Sequence, residues 1–421
     1  MRLFLCALLV LLLTACSRVA GESGFGSRLV PASCISAAVP WILGDAVGTA
    51  APGEAALEAA PALRAVTYNL HSGLGPERAF FTSRAQAQRY LAGIAESISA
   101  AAGPPDVVAL NEVDFSAQRS GGFDQAAYLA NILERYTGRH YDVVYGETWR
   151  RRLPGFEVRF GNAALVRHPI RRANACLYDD AQSCGVPAAT QDMPALQAPG
   201  ILGRFTREAR GLIRLAIDVD GRAVDVVVTH LDAFVLAERE AQAAHLLRRF
   251  IDPRRTTVVL GDFNTVPTVM TYTRAFFTAD RTHDILTSGG LADARVLFDS
   301  RRGAADFRRW ATYPSTKPVW PLDTVLGSLD LVPWNVKVIA APYSDHNGLY
   351  VEYRVTSDAA VIAAQRARHD VIRRRQLAQI MRCDLVQASA AQLRWLAAGT
   401  GFVDIASAAE RKALLPGAHT F

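Results

Sequence analysis

Two short segments of the sequence join apolar, strand-like residues to side chains that could do acid–base or metal chemistry. Residues 258–264 read Val-Val-Leu-Gly-Asp-Phe-Asn, and a later segment reads Ser-Asp-His-Asn-Gly around Asp345 and His346. Residues i and i+2 of an extended chain point the same way, so Asp262 and Asn264 would project side by side. A rigid sheet edge that presents carboxylates, an amide and an imidazole has the groups that metal-assisted hydrolysis requires.

Three more polar residues, Asn69, Glu112 and His230, end apolar stretches elsewhere in the chain. Taken singly, each has a bland explanation: Glu112 could be a solvated edge acid, and His230 a structural histidine. Oxygen ligands suit Mg²⁺, and a histidine that titrates near ~6.5 suits proton transfer near neutral pH. The joint pattern therefore predicts one site more strongly than any single residue does.

In this order, the motifs resemble the endonuclease/exonuclease/phosphatase superfamily, which includes DNase I-like nucleases, abasic-site endonucleases, neutral sphingomyelinases and inositol polyphosphate 5-phosphatases. The resemblance covers roughly residues 64–355. The matching pieces are Thr67–Gly73, Ala109–Asp114, Gly161–Leu165, Thr229–Leu231, Gly261–Asn264, Thr312–Ser315, Pro321–Asp323 and Ser344–His346.

The resemblance implies a DNase I-like α/β (α+β) four-layer sandwich, in which two packed mixed β-sheets are flanked by helices. The residue pattern independently predicts mixed sheets covered by helices, because strands and helices alternate and Asp220-Gly221 marks a hairpin. With half of the residues apolar, the chain can bury a large core.

The resemblance also implies a metal site. Glu112 would be the main ligand of Mg²⁺, with Mn²⁺ as the alternative ion, and Asn69 and Asp345 would assist. The family's usual glutamine before this glutamate is Asn111 here.

The remaining roles concern the phosphate and the attacking water. Asp262 would orient or deprotonate the water, and Asn264 would bind the phosphoryl group. His346, supported by Asp323, would act on the nucleophile or stabilise the phosphorane. His230 would donate to the phosphate or protonate the leaving oxygen.

The identity of the aspartate that supports His346 rests on spacing. Asp323 takes the family position, although Leu322 and Thr324 replace the usual isoleucine and aromatic residue. Asp330 is the alternative partner of His346, but it lies too close to Asp345 along the chain to match the family spacing.

The elements that must position these groups follow from hydrophobic periodicity and turn signals. We predict helices over 83–101, 124–136, 235–250, 361–382 and 390–398, and a long irregular insertion over 171–207. We predict strands over 64–70, 106–112, 141–146, 161–167, 211–219, 223–230, 256–264, 323–327, 336–342 and 348–355.

The N-terminus has the pattern of an export signal. Arg2 precedes an apolar stretch, Leu3–Leu13, that is too short to span a bilayer, and Leu-Thr-Ala before Cys16 resembles a bacterial lipobox. The alternative is an ordinary secretory leader. Because Ser17 follows the cysteine, sorting rules for lipoproteins point to the periplasmic face of the outer membrane, or to the cell surface. The implied division is a signal peptide (1–15), a tether (16–62), the main domain (63–356) and a helical extension (357–421).

Four cysteines would remain in an oxidising compartment: Cys34, Cys176, Cys184 and Cys383. Three pairings are possible. A local Cys176–Cys184 bridge is favoured, which would leave Cys34 with Cys383; four free thiols are the alternative.

Charge constrains the partner. The net charge of +6 permits an anionic substrate without demanding nucleic acid, and no protein partner is evident. We therefore expect a metal-dependent phosphoric ester hydrolase that reaches a phosphodiester, such as a phospholipid headgroup, from its membrane anchor. The alternatives are an extracytoplasmic endo- or exonuclease and, in another class, a catalytically dead binding module on the same fold.

Overall fold

The computed structural model describes residues 54–77, 79–153, 156–178, 209–266, 280–302 and 307–384. The helices are α1 (Glu54–Glu58), α2 (Arg84–Ala102), α3 (Gln125–Thr137), α4 (Leu236–Phe250), α5 (Thr282–Ser288), α6 (Ala294–Arg302) and α7 (Ala359–Asp384). The strands are β1 (Ala62–Asn69), β2 (Val107–Asp114), β3 (Asp142–Leu153), β4 (Phe156–Val166), β5 (Ile170–Leu177), β6 (Gly211–Val219), β7 (Arg222–His230), β8 (Thr257–Asp262), β9 (Leu291–Asp293), β10 (Asp323–Ser328), β11 (Leu331–Ile339) and β12 (Gly348–Val355).

These strands form two six-stranded sheets. The first sheet has the order β11-β12-β1-β2-β4-β3, and the second has the order β5-β6-β7-β8-β10-β9. Each sheet is mixed: β1 and β2 are parallel in the first, β7 and β8 are parallel in the second, and their other neighbours are antiparallel. The parallel pairs matter for function, because they bring the carboxyl ends of four strands to one region.

Apolar side chains divide the molecule into four layers. Val107, Val226 and Val258 belong to the core between the two sheets. On the outer face of the first sheet, side chains of α2 and α3 such as Leu91 pack on it, and Leu246 of α4 packs on the second sheet. The predicted fold class, two packed mixed sheets flanked by helices, is confirmed.

Local sequence signals explain several element boundaries. The Ser83 hydroxyl accepts a hydrogen bond from the Gln86 amide at 3.2 Å, so it caps α2. The predicted hairpin is confirmed between β6 and β7, where Asp220 and Gly221 both have positive φ, 49° and 85°. Two central residues with positive φ are what a tight two-residue hairpin requires.

The structure differs from prediction in several places. β8 ends at Asp262 and not at Asn264, whose φ of 49° removes it from the extended conformation that was predicted to place the two side chains side by side. Glu112 does not end its strand; it lies inside β2, at a register shift against β4, with φ of 53°. The predicted irregular insertion begins with a strand, because β5 pairs with β6. Residues 280–302, for which we predicted no element, contain α5, β9 and α6.

The C-terminal helix α7 packs on the domain. Val361 and Ile372 are buried, and the Gln365 amide donates to the carbonyls of Leu329 and Leu331, at 2.9 Å each. Among the described residues, no helix is long and apolar enough to cross a membrane. Residues 1–53 and 390–398 lie outside the described part, so the predicted leader, residues 16–53 of the predicted tether and the second C-terminal helix stay predictions. The end of the predicted tether is described, and it contains α1.

A buried amide, Asn111, joins the two sheets. Its Oδ1 accepts from the Asp262 amide at 2.7 Å, and its Nδ2 donates to Asn162 Oδ1 at 2.9 Å and to the Thr229 carbonyl at 3.1 Å. Asn111 and Asn162 lie in the first sheet, whereas Thr229 and Asp262 lie in the second. Together with Asn69, described below, Asn111 and Asp262 form what we call the polar seam.

We predict that Asn111→Ala lowers the free energy of unfolding by roughly 3 kcal/mol, because it leaves buried polar groups in both sheets without partners. Urea unfolding followed by circular dichroism measures the change. Asn174→Ala, at a half-exposed position of the edge strand β5, is the control and should cost far less. Equal losses in the two variants would show that the polar seam does not hold the sheets together.

Candidate active site

The strand ends predicted to carry chemistry meet at the polar seam. Asn69, His230 and Asp262 are the last residues of β1, β7 and β8. Asn69 is fully buried, and its Nδ2 donates to Glu112 Oε1 and to Asp262 Oδ2, both at 3.0 Å. One amide therefore connects a carboxylate of the first sheet to a carboxylate of the second.

Asp262 is the centre of the cluster. Its Oδ2 lies 3.7 Å from His230 Nε2 and 3.6 Å from His346 Nε2, and its Oδ1 accepts from the Asn264 amide at 2.9 Å. Burial raises the pKa of the Asp262 carboxyl, the His346 charge partly offsets that effect, and Asp323 adds to it. The group is thus a stronger base than an ordinary aspartate.

His346 lies between two carboxylates. Its Nδ1 is 2.8 Å from Asp323 Oδ2, and its Nε2 faces Asp262. Burial alone would lower the pKa of His346, but Asp323 and Asp262 outweigh it and raise that pKa to about 10. The imidazole therefore carries hydrogens on both nitrogens, and the Tyr313 ring, 4.8 Å from it between centroids, covers it.

The partner of His346 is Asp323, and Asp330 is placed elsewhere, where it accepts from Thr256 and Ser328. Asp323 is held by Arg295, a fully buried residue of α6, whose Nη1 donates to the Asp323 carbonyl at 2.8 Å. Sequence reasoning missed Arg295, because its helix was not predicted.

His230 has a different environment. Its Nδ1 lies 2.8 Å from Arg210 Nη1, and its Nε2 lies 3.1 Å from Asn264 Nδ2. Burial, together with the positive charges of Arg210 and His346, holds the pKa of His230 well below its usual value. The two histidines of the site therefore differ in charge: His346 is cationic and His230 is neutral.

Glu112 and Asp345 form the open side of the site. Glu112 is half-buried and keeps a left-handed backbone conformation, which costs energy and occurs preferentially at functional positions. Burial raises the pKa of the Asp345 carboxyl; nearby His346 and His71 oppose the shift, whereas Glu112 and Asp262 reinforce it. His71 Nδ1 is 3.7 Å from Asp345 Oδ1.

The donor set on this side fits a divalent cation. The Glu112, Asp262 and Asp345 carboxylates raise one another's electrostatic energy, and a cation would relieve it. Within the described residues, no three His, Cys, Asp or Glu side chains enclose an ion by themselves. Mg²⁺ commonly binds through one or two carboxylates and keeps several waters, so Glu112, Asn69 and Asp345 fit it in that form.

Gly261 explains why the motif begins with glycine. A Cβ at this position would lie 1.8 Å from the Thr229 carbonyl oxygen, closer than any real contact. Glycine is therefore required for β8 to approach β7 and to place Asp262 beside Asn111.

Of the cysteine and lipidation candidates, Cys176 and Cys383 lie within the described residues. Cys176 is the penultimate residue of β5; it is buried and disulfide-bonded. Cys383 lies in α7. Cys16, Cys34 and Cys184 lie outside the described residues, so the predicted pairings and the lipidation stay predictions.

Residues that sequence reasoning missed support the site from neighbouring loops. Arg119 donates to Asp114 and to Ser72 Oγ, which fixes the turn after Asn69, and the Ser344 hydroxyl donates to the Asn69 carbonyl at 2.7 Å. Ser344 lies inside the Ser344–His346 motif, so the sequence could have indicated it. Arg210, next to β6, gave no signal in the sequence.

The chain matches one family model and is similar to several solved structures. The sequence model of the "Endonuclease/Exonuclease/phosphatase family" matches residues 66–346, whereas none of the curated proteins matches the chain. Similar solved structures include an endonuclease/exonuclease/phosphatase from Beutenbergia cavernae, at 20% identity, over 70% of this chain and 72% of that chain, with a TM-score of 0.48. A family protein from Leptotrichia buccalis is 19% identical, over 69% of this chain and 98% of that chain, with a TM-score of 0.48. Truncated TDP2 from Caenorhabditis elegans is 15% identical, over 70% of this chain and 97% of that chain, with a TM-score of 0.42.

The matched range contains every residue of the cluster, from Asn69 to His346, and it covers more than half of the sequence. The chain therefore belongs to the endonuclease/exonuclease/phosphatase family.

Proposed function

We propose that this chain is a Mg²⁺-dependent phosphodiesterase that cleaves a phospholipid-headgroup phosphodiester by in-line attack of water. Members of the family are generally phosphoester hydrolases and typically depend on a divalent metal. The observation that supports the proposal is the position of Asp262. Its Oδ2 atom lies close to the side chains of Asn69, His230 and His346. A carboxylate surrounded by donors is the arrangement that activates water beside a phosphoryl group.

The residues divide the work between the metal side and the phosphate side. Glu112, Asn69 and Asp345 would hold Mg²⁺, with Mn²⁺ as an alternative. When bound, the ion would act as a Lewis acid and stabilise negative charge on the phosphoryl oxygens. Glu112 is kept in place by the Asn69 amide at 3.0 Å, so the position of the ligand is fixed before metal binding.

On the phosphate side, Asp262 orients the attacking water and accepts its proton, because burial makes this carboxylate more basic than usual. His346 presents its Nε2–H beside Asp262, while Asp323 holds the other nitrogen at 2.8 Å. That N–H stabilises charge that develops on the phosphoryl oxygens during attack. Asn264 supplies a further donor to the same group.

Exposed aromatic residues support a lipid substrate. Phe80 and Phe81 are 75% and 68% exposed, in the loop that follows β1 and the His71 turn, and Phe234 is 68% exposed, four residues after His230. Both loops leave the carboxyl ends of strands that carry site residues. Exposed aromatic side chains near an active site favour insertion at a lipid surface, and the weak net charge does not favour nucleic acid.

The cellular setting is part of the same proposal. We infer a lipid anchor on Cys16, export to the periplasmic face of the outer membrane, and a Cys176–Cys184 disulfide in that oxidising compartment. The tether between anchor and domain, residues 16–62, would let the site sample the membrane at high effective concentration. An extracytoplasmic nuclease and a catalytically dead module are the alternatives.

We predict that Glu112→Gln and His346→Asn each lower hydrolysis of bis-p-nitrophenyl phosphate by about 10²-fold or more, since each removes a group that acts on the reacting phosphate or its metal. Initial rates in Mg²⁺, with and without EDTA, give the comparison. Matched controls are Glu134→Gln and His140→Asn, whose side chains are 45% and 72% exposed on the surface. Wild-type rates in the two site variants would refute catalysis here.

We predict that Mg²⁺ raises the melting temperature of the wild type but not of Glu112→Gln. Binding to the native state alone stabilises it by about 2.7 kcal/mol at a free-ion concentration one hundred times the Kd. Thermal unfolding with Mg²⁺ or with EDTA is measured for both proteins. The same Mg²⁺-dependent shift in both would place the ion away from Glu112, and no shift in the wild type would favour the dead module.

We predict that replacing Phe80 and Phe81 by serine weakens binding to sphingomyelin or phosphatidylinositol phosphate vesicles, while hydrolysis of bis-p-nitrophenyl phosphate stays unchanged. The protein is made with Cys16→Ser, so that no lipid anchor contributes to sedimentation with vesicles. Tyr136→Ser, which removes an exposed aromatic residue at the C-terminal end of α3, is the control. If plasmid DNA were cleaved and the vesicle lipids were not, the nuclease alternative would replace the lipid proposal.

A further inference from the structure

We propose that Arg210 is a positioning residue that fixes the His230 ring as a hydrogen-bond donor towards the phosphoryl group. Arg210 directly precedes β6 and is 7% exposed, and its Nη1 lies 2.8 Å from His230 Nδ1. A guanidinium stays protonated and has only donors. Nδ1 must therefore accept, and it carries no hydrogen. A neutral imidazole has one N–H, so in His230 that hydrogen is on Nε2.

The neighbour of Nε2 is also fixed as a donor. Asn264 Nδ2 lies 3.1 Å from His230 Nε2, and the same Nδ2 donates to the Leu231 carbonyl at 3.1 Å. Turning the amide over would place its oxygen against that carbonyl oxygen, which is unfavourable. The nitrogen end of the amide therefore stays next to the ring.

Two donors that lie side by side cannot bond to each other, but both can bond to one oxygen in front of them. Asp262 Oδ2 lies 3.7 Å from Nε2. The remaining Asn264 hydrogen and the His230 Nε2–H thus form a two-donor cradle for an anionic oxygen. Arg210 and the Leu231 carbonyl set the polarity of this cradle before any substrate binds, which is how preorganised donors stabilise a transition state.

This assignment separates two roles that the sequence left open for His230. A neutral ring whose only hydrogen is on Nε2 can hold a phosphoryl oxygen, but it has no spare proton to give to a leaving alkoxide. The low pKa that burial, Arg210 and His346 impose on His230 is consistent with that neutral state. His230 is therefore a hydrogen-bond donor to phosphate. The leaving oxygen takes its proton from another source, such as water.

The role of His230 in catalysis rests on the proposed phosphodiesterase function, whereas the tautomer of its ring does not. The experiment therefore measures both the tautomer and the rate of hydrolysis. Arg210→Lys keeps a group that can only donate to Nδ1. Arg210→Gln offers an amide whose oxygen can accept from Nδ1 instead. In the full-length protein labelled with ¹⁵N-histidine, long-range ¹H–¹⁵N spectra report which ring nitrogen is protonated, and His230→Asn identifies the signal.

We expect His230 in the wild type and in Arg210→Lys to show a protonated Nε2 and an unprotonated Nδ1. Arg210→Gln should populate the opposite tautomer and lower kcat for bis-p-nitrophenyl phosphate by about 10-fold to 10²-fold, with a smaller change in KM, because a transition-state donor is lost. Arg210→Lys should recover most of the rate. Arg214→Gln, which removes a half-buried arginine paired with Asp225 at 2.8 Å, is the control and should leave tautomer and kcat unchanged.

A wild-type spectrum with a protonated Nδ1, or with both nitrogens protonated, would overturn the proposal whether or not any variant folds. The proposal would also fail if Arg210→Gln kept both the wild-type tautomer and the wild-type kcat. If the wild type hydrolysed no phosphoester, the proposed function would fail, and the wild-type spectrum would still decide the role of Arg210.

Discussion

A buried carboxylate, Asp262, sets the main constraint on this fold. At 1% exposure it has lost its water, and burial of a charge is costly unless hydrogen bonds or opposite charge replace that water. The Asn69 side-chain amide and the Asn264 backbone N–H donate hydrogen bonds to the carboxylate, and the Asn111 side chain accepts one from the Asp262 backbone N–H. These partners come from both sheets, so the register of β1, β2, β7 and β8 must be held for Asp262 to be tolerated at all.

The same constraint produces the chemistry. Asp262, Asp323, Asp345 and Glu112 converge on a region whose nearest full positive charge is His346. Burial, reinforced by the neighbouring negative charges, raises the pKa of the Asp262 and Asp345 carboxyls. The excess of negative charge favours a cation on the open side. His346 is charged and His230 is neutral. The site therefore has one group that stabilises the charge developing on the phosphate and another that orients the phosphate.

Much of the site could be predicted, because a parallel strand pair places strand ends together whatever the details of packing. Asn69, His230 and Asp262 end their strands, although the strands predicted over 64–70 and 256–264 ran one and two residues further. The pairing of Asp323 with His346 followed from family spacing, and the structure brings the two into contact. Both inferences depend on local order along the chain, which sequence patterns record well.

What could not be predicted depends on contacts between segments distant in sequence. The bulge at Glu112 arises from a register shift against β4, and no local signal in β2 records that shift. Arg210 touches His230 only because β6 and β7 pair as a hairpin that brings residues twenty positions apart together. Arg295 is charged yet fully buried. An ion pair with Asp293, at 2.7 Å, balances its charge, and the distant carbonyls of Pro321 and Asp323 accept further hydrogen bonds from it.

We propose that the polar seam presents a divalent-metal site beside a phosphate-binding cluster. Anomalous X-ray scattering from crystals grown with Mn²⁺ in place of Mg²⁺ tests it most directly. The account predicts an anomalous peak in coordination contact with the Glu112 carboxylate, on the side shared with Asp345, and its loss in Glu112→Gln crystals. A peak elsewhere, with Glu112 bound to no ion in a protein that hydrolyses phosphodiesters in the same Mn²⁺, would contradict it.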